Sequence, residues 1–174
     1  MVVQQSVLTF MATVLQLAVA EKLLKLDASL EDNEQEWRAI YVLPVMRPRL
    51  EKDLPDWVSE WKVEVSPIQQ LDALLEIYCS GETLTFGPQF KPIRHVKDGI
   101  WELKTPDLRI FGWFHIKDCF IAGAIDLAFN VKSHGLYAGY AGVVARYRDQ
   151  LDLNEPKFVP GENPNDVVTN FNYP

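Results

Sequence analysis

Apolar residues recur at helical spacing near the start of the chain. Between Val7 and Val19 they stand three or four positions apart, which predicts a helix over 7–26. The mostly apolar run from Ser6 to Ala20 has 15 residues, fewer than the roughly 20 that a membrane-spanning helix needs. No Lys or Arg precedes this run, unlike in a secretory signal. We therefore expect a helix that packs on the core or on a partner, without membrane contact.

The middle of the chain predicts a strand followed by helices. An acidic linker over 27–36 precedes Trp37–Val45, which is rich in β-branched and aromatic residues and is typical of a strand. A short helix is expected from Asp53. Ser66 followed by Pro67 is a stronger start signal, because Ser suits the N-cap and Pro the first helical position. This second helix is expected to end at about Tyr78.

The second half of the chain predicts three strands and a helix. Residues 82–99 are expected to be irregular. The strands are predicted over 100–104, 108–116 and 119–126, with connections short enough for antiparallel hairpins. A helix is expected over 136–150, and the Pro-rich tail over 151–174 is expected to be extended or mobile. The strand aromatics should lie largely in the core, since alternating positions cannot all face one site. They are Trp101, Phe111, Trp113, Phe114 and Phe120.

Charge is unevenly distributed along the chain. The net charge is −7, with 7 basic and 14 acidic residues in 1–90, 9 and 5 in 91–148, and 1 and 5 in 149–174. The middle block is therefore basic, as expected of a surface that contacts phosphates. The two cysteines, Cys79 and Cys119, form neither a disulfide framework nor a metal-ligand cluster, so we expect buried free thiols.

Four short motifs in this basic block resemble those of the RelE/HigB-like toxins, particularly the phage-derived HigB-like branch. They are DGIWELK at 98–104, LRIFG at 108–112, AFNVK at 128–132 and ARYR at 145–148. The resemblance covers about 37–150 and implies an α+β fold in which helices pack on a RelE-like antiparallel sheet. The N-terminal helix of 1–36 and the tail of 151–174 would be additions to that domain.

The resemblance also implies a function. Members of this family are ribosome-dependent mRNA interferases of toxin–antitoxin systems. It implies a cytoplasmic endoribonuclease that needs no metal or cofactor, acts on mRNA on the ribosome and is neutralised by a cognate antitoxin. Two departures bear on catalysis. In the family, the motif at 128–132 is the end of a strand and usually has two adjacent lysines, whereas Lys132 stands alone here. The Thr-Pro that commonly opens the last helix is replaced by 134–137.

The candidate catalytic residues lie on the predicted strands and just after them. RNA cleavage at a 2′-hydroxyl needs a base, an acid and positive charge near the phosphate. Arg109 and Lys104 stand on adjacent strands and could share a face, with Arg109 as a phosphate clamp. The alternative for Arg109 is an ion pair with Glu102 or Asp126.

Further candidates follow the last predicted strand and precede the first of the three. Lys132, His134 and Tyr137 could supply an acid or a base, while His134 could equally be a solvated loop residue and Tyr137 a core aromatic. A basic group before the strands is a candidate RNA-binding surface. It consists of Lys91, Arg94 and Lys97.

The sequence leaves two functions open. The first is the active mRNA interferase. The second is a catalytically inactive RelE-like module of phage or mobile-element origin that binds a protein. The acidic flanks, the additional N-terminal helix and the thinned basic motif favour the second.

Overall fold

The computed structural model describes residues 12–174 and has an α+β fold built on a mixed, mostly antiparallel sheet. Its α-helices are α1 (Val14–Val19), α2 (Pro67–Cys79), α3 (Ala128–Ser133), α4 (Tyr137–Gln150) and α5 (Pro164–Val167). Short 3-10 and π-helical turns lie between Pro44 and Asp56. Its strands are β1 (Leu24–Lys25), β2 (Ala39–Val42), β3 (Leu84–Thr85), β4 (Phe90–Pro92), β5 (Trp101–Lys104), β6 (Leu108–Ile116), β7 (Cys119–Leu127) and β8 (Phe171–Asn172).

The main sheet has six strands in the order β1-β2-β7-β6-β5-β4. The tight connections between β5, β6 and β7 make them antiparallel neighbours, as predicted. Strand β2 pairs with β7 in parallel. A separate two-stranded parallel sheet joins β3 to β8.

Helices cover both faces of the main sheet. On one face α2 packs over a core that includes Trp101 and Phe114. On the other face α4 packs over Phe111 and Trp113, and α1 adds Leu17 to the same core. The prediction that the strand aromatics are core residues is confirmed, since all five are buried without solvent contact.

Local signals located α2 accurately. Ser66 is the N-cap, Pro67 is the first helical residue, and the Gln69 side chain accepts a hydrogen bond of 3.0 Å from the Ser66 backbone N–H. This capping arrangement pairs backbone donors that the helix itself leaves free. The helix ends at Cys79, one residue beyond the predicted end, and Gly81 follows in the left-handed region with a φ of 82°.

The predicted N-terminal helix is shorter than expected. Its first part, 7–11, lies outside the described residues, and α1 ends at Val19 rather than near Leu26. Leu24 and Lys25 instead pair with β2 as a short edge strand. Hydrogen bonding to a neighbouring strand therefore overrides the helical spacing in this segment.

Two segments predicted to be irregular or mobile are ordered by distant partners. Within 82–99, β3 pairs with β8 and β4 pairs with β5. The prediction of an extended or mobile tail is wrong for its last part, because Val167 and Val168 are buried in the core under α2. Their partners come from the far end of the chain, which local patterns do not reveal.

The segment after β7 is also different from the expectation. The resemblance places 128–132 at the end of the last strand, but these residues form α3. The backbone N–H of Ala128 donates to the Asp107 carbonyl at 2.6 Å, which turns the chain away from the sheet. Lys132 consequently projects from a helix rather than from the sheet face.

In the described part of the chain, no helix is both long enough and apolar enough to cross a membrane.

Candidate functional site

Four charged residues share the sheet face on which α4 packs. Lys91 lies opposite Glu102 across β4 and β5, and Lys104 lies opposite Arg109 across β5 and β6. Residues two apart in a strand point to the same side, so all four lie on one face. The shared face expected for Lys104 and Arg109 is thus observed. We call Lys91, Glu102, Lys104 and Arg109 the basic cluster.

Glu102 lies at the centre of the basic cluster and is fully buried. Its Oε1 is 3.4 Å from Lys91 Nζ, and its Oε2 is 3.8 Å from Arg109 Nε. Among residues 12–174, neither carboxylate oxygen has a hydrogen-bond partner. Burial raises the pKa of Glu102, and the charges of Lys91, Arg109 and Lys104 oppose that rise. This carboxylate partly offsets the repulsion among three neighbouring cations.

Arg109 is held by the protein rather than extended into solvent. Its Nη1 donates to the carbonyls of Thr105 and Leu108, both at 2.7 Å, and only a small part of its side chain is exposed. The alternative to a phosphate clamp was an ion pair with Glu102 or Asp126, and the pair with Glu102 is present. These contacts leave Arg109 better placed to hold the cluster together than to grip a phosphate by itself.

The other possible partner of Arg109, Asp126, is occupied. Asp126 lies opposite Arg109 across β6 and β7 and accepts a hydrogen bond of 2.6 Å from the Tyr140 hydroxyl. Burial and this hydrogen bond raise the pKa of Tyr140 to about 12, so the phenol stays protonated. The Tyr140 ring stacks on Phe111 at 4.9 Å between centroids. Asp126 and Tyr140 therefore anchor α4 to the sheet beside the cluster.

Lys104 is the half-buried ammonium of the cluster. Its Nζ donates to the Gly87 carbonyl at 2.9 Å. Burial lowers its pKa, and the neighbouring charges of Lys91, Arg109 and Lys132 lower it further against the opposing effect of Glu102. A lysine with a lowered pKa is a stronger acid, so Lys104 is suited to donate a proton.

Two open clefts adjoin the cluster on either side of the turn at 86–89. The first, of about 450 Å³, includes Lys91, Arg94 and Tyr137 in its lining. The second, of about 580 Å³, includes Lys104 and Arg109. The lining of the second is otherwise largely apolar and is drawn from α2, the loop before it and the turns that flank β4 and β5. Both clefts thus present cations to a ligand.

The candidates on α3 and α4 lie at different distances from the cluster. The Tyr137 ring centroid is 6.0 Å from Lys91 Nζ, and the ring packs edge-on against Phe111. Tyr137 therefore contacts both the core and the first cleft. Lys132 lies over the ring of Trp61, with its Nζ 5.3 Å from the centroid.

His134 lies exposed in the turn between α3 and α4. Its Nδ1 is 3.1 Å from the Asn130 carbonyl. A carbonyl only accepts hydrogen bonds, so Nδ1 carries the proton and Nε2 of the neutral ring is left as the basic nitrogen.

The three candidate RNA-binding residues differ in their partners and exposure. Lys91 belongs to the basic cluster, whereas Arg94 is exposed and pairs with Glu162 at 3.0 Å between Nε and Oε2. Lys97 is exposed in the following loop. Among the described residues, only Lys91 of these three forms an ion pair with Glu102.

Two aromatic residues near the site were not identified from sequence. Trp61 and Phe129 are 48% and 41% exposed, and their rings meet edge-on at 6.0 Å. Glu60 and Lys62 on either side of Trp61 are a signal that this indole is on the surface. The resemblance implies a strand end at Phe129, and only the helical turn of α3 brings this ring to Trp61.

The cysteines do not form part of the site. Burial raises the pKa of both Cys79 and Cys119 to about 11, so the thiols are protonated at neutral pH and poor nucleophiles. Among residues 12–174, no group of three or more His, Cys, Asp and Glu side chains is arranged to hold a metal ion.

The raised pKa of Glu102 predicts how stability depends on pH. The unfolded chain loses this proton near the ordinary glutamate pKa of about 4.3, before the folded protein does. The contribution of Glu102 to the free energy of unfolding therefore falls as pH rises through 4.3 to the folded pKa, and stays lower above it. We expect Glu102→Gln to gain stability relative to wild type over that interval.

Urea unfolding of wild type and Glu102→Gln at several pH values between 3.5 and 8 measures this difference directly. Glu162→Gln, which changes an exposed carboxylate, is the control for general pH effects. If wild type instead gained stability relative to Glu102→Gln as pH rose, the ion pairs would outweigh burial and the pKa of Glu102 would be lowered.

Comparison of the chain with protein-family models, with curated proteins and with solved structures finds no match. The functional assignment therefore depends on the residues and geometry described above.

Proposed function

We propose that this protein is a metal-free endoribonuclease of the RelE/HigB-like type, a toxin that cleaves mRNA on the ribosome and is neutralised by a cognate antitoxin. The observation that carries the proposal is the convergence of Lys91, Lys104 and Arg109 around buried Glu102, beside Tyr137. Cations concentrated at one sheet end suit a phosphodiester substrate. The element order over 39–150 adds partial support. It contains the strand, helix, three strands and helix that the family resemblance implies, with β3, β4 and α3 as additional elements.

The proposed chemistry uses groups of this chain alone. The 2′-oxygen attacks phosphorus, the bond from phosphorus to the 5′-oxygen breaks, and a 2′,3′-cyclic phosphate and a 5′-hydroxyl form. His134 Nε2 takes the proton of the 2′-hydroxyl, and the Lys104 ammonium gives its proton to the leaving oxygen. Lys91 stabilises the charge on the phosphoryl oxygens, and Arg109 is a positioning residue through Glu102.

Removing the two more accessible cations tests this proposal. We expect Lys91→Ala/Lys104→Ala to lower the rate of mRNA cleavage at least about 100-fold, a typical loss for a proton-transfer group. The measurement is growth after induced expression, with primer extension on a reporter mRNA. Arg109 is left unchanged, because its removal would also take away the hydrogen bonds to the Thr105 and Leu108 carbonyls, which Lys91 and Lys104 do not make.

The matched control removes the same charge elsewhere. Lys22→Ala/Lys117→Ala takes away two exposed lysines, and we expect it to cleave like wild type. If both double variants cleaved mRNA equally slowly, the effect would come from overall charge and not from the basic cluster. Normal growth and intact mRNA with folded wild-type protein would contradict the nuclease proposal.

The alternative, a catalytically inactive RelE-like module that binds a protein, is favoured by one observation. The second cleft has a largely apolar lining that includes Val63, Ala73 and Ile77, and Lys104 and Arg109 add positive charge. Such a cleft suits an apolar segment that carries acidic residues. Retention of a partner protein by wild type, without RNA cleavage, would favour this alternative.

A further inference from the structure

Trp61, Phe129 and Lys132 form a surface feature that the proposed cleavage chemistry does not use. We call these three residues the aromatic platform. Trp61 lies in the loop before α2, and the other two lie on α3. Lys132 Nζ is 5.3 Å from the Trp61 ring centroid, and the two rings meet at 6.0 Å with an interplanar angle of 66°. Two elements far apart in sequence thus build one small surface.

The platform is exposed although its residues are aromatic. Trp61 and Phe129 keep 48% and 41% of their surface accessible, whereas Trp101 and Trp113 of the core keep none. Val58 and Val65 in the same loop are also exposed. A ligand that covers these rings would be stabilised by the apolar area that it removes from water.

Charge around the platform indicates which ligand this is. Val63 and Val65, in the same loop as Trp61, line the second cleft together with Lys104 and Arg109, so the platform borders the basic cluster. The charge of Lys132 also contributes to lowering the pKa of Lys104. An apolar peptide without acidic residues would not need the cation that lies over the indole ring. Single-stranded nucleic acid combines flat bases with phosphates, and bases stack on aromatic side chains beside basic residues.

We propose that the aromatic platform is a nucleobase subsite, in which Trp61 stacks on one base of a single-stranded RNA whose phosphates contact the basic cluster. This inference rests on the proposed function, since it places a second part of the same substrate. Phe129 packs edge-on against the indole and limits its movement. Lys132 lies over the Trp61 ring and adds positive charge beside the stacked base, in addition to its effect on Lys104.

Binding of short oligonucleotides tests the subsite. The probes are a fluorescein-labelled octamer of 2′-O-methyl RNA, which cannot be cleaved at the 2′-position, and an abasic oligomer with the same number of phosphates. We expect wild type to bind the RNA more tightly than the abasic oligomer in a fluorescence anisotropy titration. Trp61→Leu should bind the RNA at least about 5-fold more weakly, corresponding to the lower end of about 1 kcal/mol for one stacked base.

Two further variants make the test specific. Trp61→Phe keeps a ring and should recover most of the affinity. Trp37→Leu changes a tryptophan that is 64% exposed but lies beside Gly81, and it should bind like wild type. Binding of the abasic oligomer should be unchanged in all three variants.

The possible failures are distinguishable. Equal binding of the two probes by wild type, with no effect of Trp61→Leu, would overturn the subsite and leave the phosphate-binding cluster intact. Wild type that bound neither probe would overturn both the subsite and direct RNA recognition by the basic cluster.

Discussion

Arg38→Met is expected to lower the free energy of unfolding by about 3–5 kcal/mol, as when one partner of a buried ion pair is removed. The Arg38 side chain is 1% exposed and its Nε lies 3.4 Å from Asp118 Oδ1. Its guanidinium also donates to backbone carbonyls of α2 and of the C-terminal segment, including those of Tyr78 at 3.0 Å and of Thr169. Methionine keeps much of the apolar volume but leaves these carbonyls unpaired.

The loss of stability should be largest in the C-terminal segment, which Arg38 joins to the sheet. Urea unfolding gives the overall change, and limited proteolysis followed by mass spectrometry detects release of residues 164–174. Arg94→Met is the matched control, because Arg94 is exposed and its pair with Glu162 is expected to contribute less than about 1 kcal/mol. Similar stabilities for the two variants would contradict a structural role for Arg38.

Gly112→Ala is expected to cost more than about 3 kcal/mol, beyond the usual cost of overpacking, or to prevent folding. A Cβ at this position would lie 2.2 Å from the backbone carbonyl oxygen of Ile121 and 2.6 Å from the ring of Phe120. Gly112 lies in β6, between β5 and β7, where the register shifts by a bulge. Relief of the contact would need displacement of a backbone that is held by neighbours on both sides.

Gly142→Ala in α4 is the matched control. A Cβ there would meet nothing within 4 Å, so alanine should stabilise the helix by about 0.5–1 kcal/mol. Thermal and urea unfolding of both variants measure the two opposite effects. A Gly112→Ala protein within about 1 kcal/mol of wild type would mean that the sheet adjusts at the bulge without cost.

Burial explains why these two positions are difficult to recognise from sequence. Arg38 stands at the end of an acidic segment and beside Trp37, a context that is typical of an exposed arginine. Its carbonyl partners include Tyr78 of α2, 40 residues away, and Thr169 of the C-terminal segment, 131 residues away. In the sequence, Gly112 is visible only as an interruption in an apolar strand. Glycine is needed there because β7 comes so close that a Cβ would overlap the Ile121 carbonyl oxygen.

The candidate site was predictable in part for a clear geometric reason. A tight turn between two strands fixes their register, so Lys104 and Arg109 had to lie opposite each other on one face. Lys91 could not be placed in the same way, because β4 has no helical or alternating pattern of its own and pairs with β5 only in the folded protein. The approach of Lys132 to Trp61 depends on α3, which the resemblance placed at a strand end.

The sequence by itself determined the elements that local interactions define. Capping residues determine the start of α2 at Pro67, directly after the N-cap Ser66. Tight turns and periodic apolar positions determine the three antiparallel strands over 101–127 and the long helix α4. Tertiary structure alone decided the rest. Short strands such as β1, β3 and β8 exist only because a partner strand completes their hydrogen bonds. The pKa of Glu102 is raised only because folding removes water from around its carboxylate.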